Sequence, residues 1–93
     1  MTKELKSIIR QAAEALIASG VKAVYLFGSV AREQEEHARD IDLAVSGLPP
    51  EKFFRAMGRA RCILRRPLDL VDLDELNPFT TYLKESGELK RVA

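Results

Sequence analysis

The sequence predicts an α/β domain of the α+β type, a small sheet flanked by helices. Two observations carry this. Apolar residues switch between helical and strand spacing along the chain, and turn residues fall at the switches. The order read this way is helix, strand, helix, strand, helix, strand, helix. With 93 residues, the chain is one domain over 1–93 without room for a second core.

Leu5, Ile8, Ile9, Ala12, Leu16 and Ile17 recur at helical spacing, with Lys3, Glu4, Lys6, Arg10 and Glu14 mostly on the other side. This predicts an amphipathic helix over 3–18, with Thr2 as N-cap and Ser19-Gly20 as its stop. An apolar run from Val21 to Phe27, broken only by Lys22, predicts a first strand over 22–27 ending at Gly28. Residues 30–36 read as a short helix leaving the Gly28-Ser29 turn, and 37–39 as a connector.

A second strand is expected over 40–46, stopped by Ser46-Gly47. Pro50 suits the first turn of a helix. Phe53, Phe54, Met57, Ala60 and Leu64 mark the buried stripe of that helix over 50–64, and Pro67 stops it. Leu68-Asp69-Leu70-Val71 is the third strand. Residues 74–91, with Leu76, Phe79, Tyr82, Leu83 and Leu89, read as one or two short helices broken at Asn77-Pro78 and Ser86-Gly87. Strand direction does not follow from the sequence.

A hydrophobic content of 46% excludes a disordered chain. Fifteen basic against fourteen acidic residues leave a formal charge of +1, which by itself argues for neither nucleic acid nor membrane. The distribution is uneven: Arg55, Arg59, Arg61, Arg65 and Arg66 crowd together. They read as a solvated helix face, or as a surface for an acidic partner or RNA. The single Cys62 cannot form an internal disulfide, and no apolar stretch approaches a membrane span. These features predict a soluble, cytoplasmic protein. Cys62 itself reads as a small packing residue. A chain this short has a modest core, which leaves a face for a second copy or another protein to cover.

The stretch richest in chemistry is Gly28-Ser29, ten residues, then Asp40-Ile41-Asp42. Phosphate needs closely spaced backbone N–H groups with a helix N-terminus behind them. Gly28 lets backbone approach, Ser29 adds a hydroxyl, and a helix from Val30 adds its positive end. Asp40 and Asp42 leave the same face of a strand and repel unless a cation sits between them. A divalent metal is the economical explanation. Asp69, an acid inside an apolar strand, is the natural third ligand and would allow two metals. If buried in mid-sheet it needs a counter-ion. Separately, Gly-Ser after a strand is usually a turn and Asp-x-Asp a solvated edge; their combination carries the reading. Arg32 is a candidate for phosphate or for an ion pair that braces the loop. His37 falls in a charged connector, and Tyr25 reads as core.

Gly28-Ser29-Val30-Ala31-Arg32, then Asp40-Ile41-Asp42-Leu43 and Leu68-Asp69-Leu70-Val71, resembles the minimal nucleotidyltransferases of the DNA polymerase β superfamily. The match is close over 21–72 and loose through the tail with Leu89. The resemblance implies a mixed sheet with the Gly-Ser turn and three acids at one edge. It also implies Mg²⁺ and a nucleoside triphosphate, with transfer of a nucleoside monophosphate to an acceptor hydroxyl and loss of pyrophosphate. By it, Gly28 and Ser29 bind the triphosphate, Asp40 and Asp42 are metal ligands, and Asp69 polarises the acceptor. Minimal members are often paired with a small helical HEPN toxin that they adenylylate. The expected function is therefore transfer of AMP from ATP to such a partner, as the antitoxin of a type VII-like toxin–antitoxin system. The alternative is a degenerate nucleotidyltransferase fold that neutralises its partner by contact. Transfer to RNA or a small molecule lacks an accompanying acceptor domain. Two positions depart from the family pattern: Glu33 replaces the usual Gly after the Arg, and Arg39 the usual Ser before the first Asp.

Overall fold

The computed structural model describes residues 2–28 and 40–93. Helix α1 (Lys3–Ala18) has the limits that its caps dictate. The Thr2 hydroxyl oxygen accepts from the Leu5 N–H at 3.1 Å. At the other end the Ser19 hydroxyl donates to the Ala15 carbonyl at 3.0 Å. Leu5, Ile9, Ala12, Ala13 and Leu16 form its buried stripe.

The described sheet has four strands, in the order β3-β2-β1-β4. Strand β1 (Ala23–Phe27) pairs antiparallel with β2 (Ile41–Ser46), and β2 pairs parallel with β3 (Leu68–Asp72). A parallel pair needs a long crossover. Here it is a 3-10 turn (Pro50–Lys52) leading into helix α2 (Phe53–Leu64). Pro50 takes the first-turn position that its ring favours. Arg65 ends α2 in the left-handed region, φ 56°, a conformation that usually falls to glycine. Helix α3 (Pro78–Ser86) follows β3, and β4 (Lys90–Arg91) closes the sheet beside β1.

Strand alternation splits the apolar residues between two faces. Val24, Leu26, Ile41, Leu43 and Val45 meet the stripes of α1 and α2 in the main core, where Ala12, Ala13, Ala56 and Ala60 let the helices approach closely. On the other face Phe27 and Ala44 join Leu73 and Leu83 in a smaller cluster, with Tyr25, Val71 and Leu89 at its margin. Tyr25 is thus half-buried, a partner of the minor core.

Three expectations are corrected. The expected helix over 50–64 divides into the 3-10 turn and α2, because Pro49-Pro50 holds the entry in a tighter turn. The tail contains one helix and a strand. Strand β4 is too short and too charged to show alternation; its existence depends on backbone pairing, with Val92 N–H donating to the Val24 carbonyl and Val24 N–H to that of Ala93, both at 2.9 Å. Lys90 and Arg91 suit an edge strand, where charge discourages further pairing. Cys62 is exposed on α2 rather than packed. The helix expected over 30–36 and the connector at 37–39 lie outside the described residues.

Candidate functional site

The topology gathers separated acids at one end of the sheet. Strand β1 delivers Phe27 and Gly28 to that end. Antiparallel β2 starts there, so Phe27 lies across from Asp42. Parallel β3 starts there as well, placing Asp69 directly across from Asp42. By alternation both carboxylates share the face of Ala44 and Val71, opposite the α1–α2 core.

Gly28 and Asp42 are in tight apposition. A Cβ on Gly28 would overlap the Asp42 Oδ2 and sit 3.0 Å from its Cγ. Gly28 also has φ 78°, which side chains other than glycine's rarely tolerate. Both facts require glycine and bring bare backbone against a carboxylate.

Asp40 stands just ahead of β2 in a bend and is exposed, whereas the sequence placed it on the strand. The strand begins one residue later because Ile41 N–H donates to the Pro67 carbonyl at 3.0 Å, which is where pairing with the β3 side starts. Asp69 corrects a second expectation. It is exposed on an edge strand, so the buried-charge penalty does not arise. Asp72 belongs to the opposite strand face, as its spacing dictates, and its Oδ1 accepts from the Asp74 N–H at 2.9 Å. Ser29, Arg32, Glu33, His37 and Arg39 lie outside the described residues.

Two carboxylates in direct cross-strand register repel each other. Asp69→Asn, isosteric and uncharged, is therefore expected to raise stability by about 0.5 kcal/mol in metal-free, low-salt buffer. Urea unfolding measures this; an unchanged midpoint would mean that the two groups do not feel one another.

The donors are hard carboxylate oxygens, which suit Mg²⁺ rather than a thiophilic metal. Register and chemistry thus fit a divalent ion. As placed, no three His, Cys, Asp or Glu side chains among the described residues converge on one metal position.

Arg55, Arg59, Arg61 and Arg65 are exposed and Arg66 half-buried. Arg61, Arg65 and Arg66 border a cleft of about 360 Å³ before β3. A second cleft, about 400 Å³, has Lys6, Arg10, Lys90 and Arg91 around Ile9, Leu26 and Val92. Leu26 places it on the sheet face opposite Asp42. Sequence reading did not find this basic groove, since β4 was not foreseen. It also missed Phe79, whose ring meets that of Phe27 with centroids 6.1 Å apart. A Phe immediately before the glycine turn was the available signal that aromatics border the site.

The sequence matches the family described as Polymerase beta, Nucleotidyltransferase over residues 3–89. No curated protein matches it. Among solved structures, one of a toxin–antitoxin complex with AMP-PNP is similar, with a TM-score of 0.69 and 23% identity, over 99% of this chain and 73% of that one. The Shewanella oneidensis structure of a tri-AMPylated HEPN toxin with MNT antitoxin gives a TM-score of 0.65 and 22% identity, over 100% and 72%. A MntA–HepT toxin–antitoxin structure gives 0.64 and 20%, over 99% and 72%. At these identities the likeness is one of fold.

Proposed function

The chain belongs to the Polymerase beta nucleotidyltransferase family, and from that premise we propose that it moves AMP from ATP to a hydroxyl of a partner protein. The proposed partner is a HEPN-type toxin, with this chain as its antitoxin. The observation that carries the reading is the in-register pair Asp42 and Asp69 beside the glycine cradle. Support for the acceptor comes from the similar structures, one an AMPylated HEPN toxin with its antitoxin; support for ATP comes from the complex with AMP-PNP.

In this reading Gly28 admits the triphosphate to the backbone, and Ser29 and Arg32 add donors, assigned from the sequence. Asp40, Asp42 and Asp69 are the residues that would hold Mg²⁺, two ions in all. When bound, the metal supplies charge neutralisation of the phosphates and a more acidic acceptor hydroxyl. The acceptor oxygen forms a bond to the α-phosphorus, the bond from that phosphorus to the bridging oxygen breaks, and pyrophosphate departs. In this reading Asp69, exposed on β3, takes the hydroxyl proton. Among the described residues no helix is long and apolar enough to cross a membrane; with a single Cys, the cytoplasm is the proposed compartment.

The test is to incubate the chain with the product of the adjacent reading frame and ATP labelled at either the α- or the γ-phosphorus. Label from the α position should be retained on the partner, and label from the γ position should not. Transfer from the γ position, or none from either, sinks the enzyme reading. One observation favours the contact-only alternative, the lack of a preformed three-carboxylate cluster among the described residues. That alternative requires neutralisation of the partner without nucleotide.

A further inference from the structure

Beside the carboxylates lies an aromatic ring that neither core absorbs. Phe79, in the first turn of α3, is 50% exposed. Its ring contacts Phe27 edge-on, with an interplanar angle of 64°. Phe27 lies across from Asp42. Phe79 therefore stands two side chains from Asp42, a distance on the order of 10 Å, at the same end of the sheet.

Its position is built rather than incidental. Asn77 Oδ1 accepts from the Thr80 N–H at 2.9 Å, while the Thr80 hydroxyl oxygen accepts from the Asn77 N–H at 3.2 Å. The same hydroxyl donates to the Glu75 carbonyl at 2.6 Å, and Thr80 is 1% exposed. A reciprocal cap of this kind fixes the first helical turn, and with it Phe79. A fixed, half-exposed ring is a flat apolar surface already ordered for a flat ligand, so little freedom is lost on binding. Phe27, which Phe79 touches, directly precedes Gly28 in the chain.

We propose that Phe79 is the stacking platform for the nucleobase of the nucleoside triphosphate. The inference rests on the nucleotidyltransferase reading and adds to it the place where the base sits. Stacking tolerates any base, because every base has a π-face. Phe79 thus supplies affinity for a nucleoside over bare phosphate, and selection among bases falls to other groups.

Calorimetry on the full chain with Mg²⁺ tests this, using ATP and inorganic tripolyphosphate as probes. Phe79→Ala should weaken ATP about tenfold and leave tripolyphosphate unchanged. Phe79→Leu, which keeps the apolar contact with Phe27, should behave like Phe79→Ala, and Phe79→Trp should retain ATP. Equal losses for both probes would show a merely structural role and overturn the proposal. So would ATP affinity unchanged in Phe79→Ala, including the case where that variant instead loses its protein partner on gel filtration. If the unaltered chain binds the two probes equally, the platform fails while the phosphate site survives. Binding of neither overturns the platform and the nucleotidyltransferase reading together.

Discussion

A chain carrying Asp40→Ala and Asp42→Ala together is expected to lose labelling of its partner by about 10³-fold or more, yet to remain folded. The two halves of this expectation have different physical origins. The activity should vanish because the substitutions remove two of the three carboxylates in the proposed metal site, and with them the groups that hold cations against the triphosphate. The fold should survive because Asp40 is exposed ahead of β2 and Asp42 is only half-buried, on the face opposite the main core. That core contains Ile41, Leu43 and Val45, which the double variant leaves in place. Relief of repulsion toward Asp69 offsets part of whatever Asp42 contributes. Circular dichroism and urea unfolding check the fold, and labelling by α-labelled ATP checks the activity. Labelling that persists in the folded double variant would place the chemistry elsewhere. Neutralisation of the partner that persists once labelling has gone would favour the contact-only mechanism.

Gly28→Ala adds one methyl group and is expected to have a larger effect than its size suggests. The added carbon meets the Asp42 carboxylate at its Oδ2, with its Cβ 3.3 Å away. Asp42 belongs to a strand paired on both sides, so its backbone cannot retreat. Relief requires a new Asp42 rotamer or a shift of the turn, and either disturbs the proposed phosphate cradle and metal ligand together. The left-handed backbone at φ 78° adds roughly 1–2 kcal/mol for any residue with a Cβ. We therefore expect a destabilisation of about 2 kcal/mol and loss of ATP binding by calorimetry. An alanine variant of unchanged stability and ATP affinity would show that the turn adapts freely, contrary to the apposition described.

Much of this was legible because it depends on local pattern. The stripe of α1 and its Thr2 and Ser19 caps follow from spacing and from residues that compete for backbone donors and acceptors. The run ending at Gly28 marks β1, and Pro67 marks the end of the crossover. What escaped depends on partners distant in sequence. Strand β4 has no pattern of its own and forms on the free edge of β1. Asp69 is exposed because β3 is an edge strand, a fact of sheet order that no spacing encodes. Asp40 falls outside β2 because pairing begins at Ile41. Among the candidate residues, Gly28, Asp42 and Asp69 fall at the same end of the sheet. Phe79 stood out only once its contact with Phe27 placed it there.

The parallel pairing of β2 with β3 also governs when the proposed site comes into being. Gly28 directly follows β1 and Asp42 lies on its antiparallel neighbour β2, but Asp69 can arrive only after the chain has passed through α2 and returned. Closing such a crossover is slow relative to local pairing, since loop entropy is lost before the contact forms. The Asp42–Asp69 pairing is therefore expected to be among the later events of folding. A chain released half-folded would carry the turn and its first acids without the third, so nucleotidyl transfer would report completed folding as well as the presence of the protein.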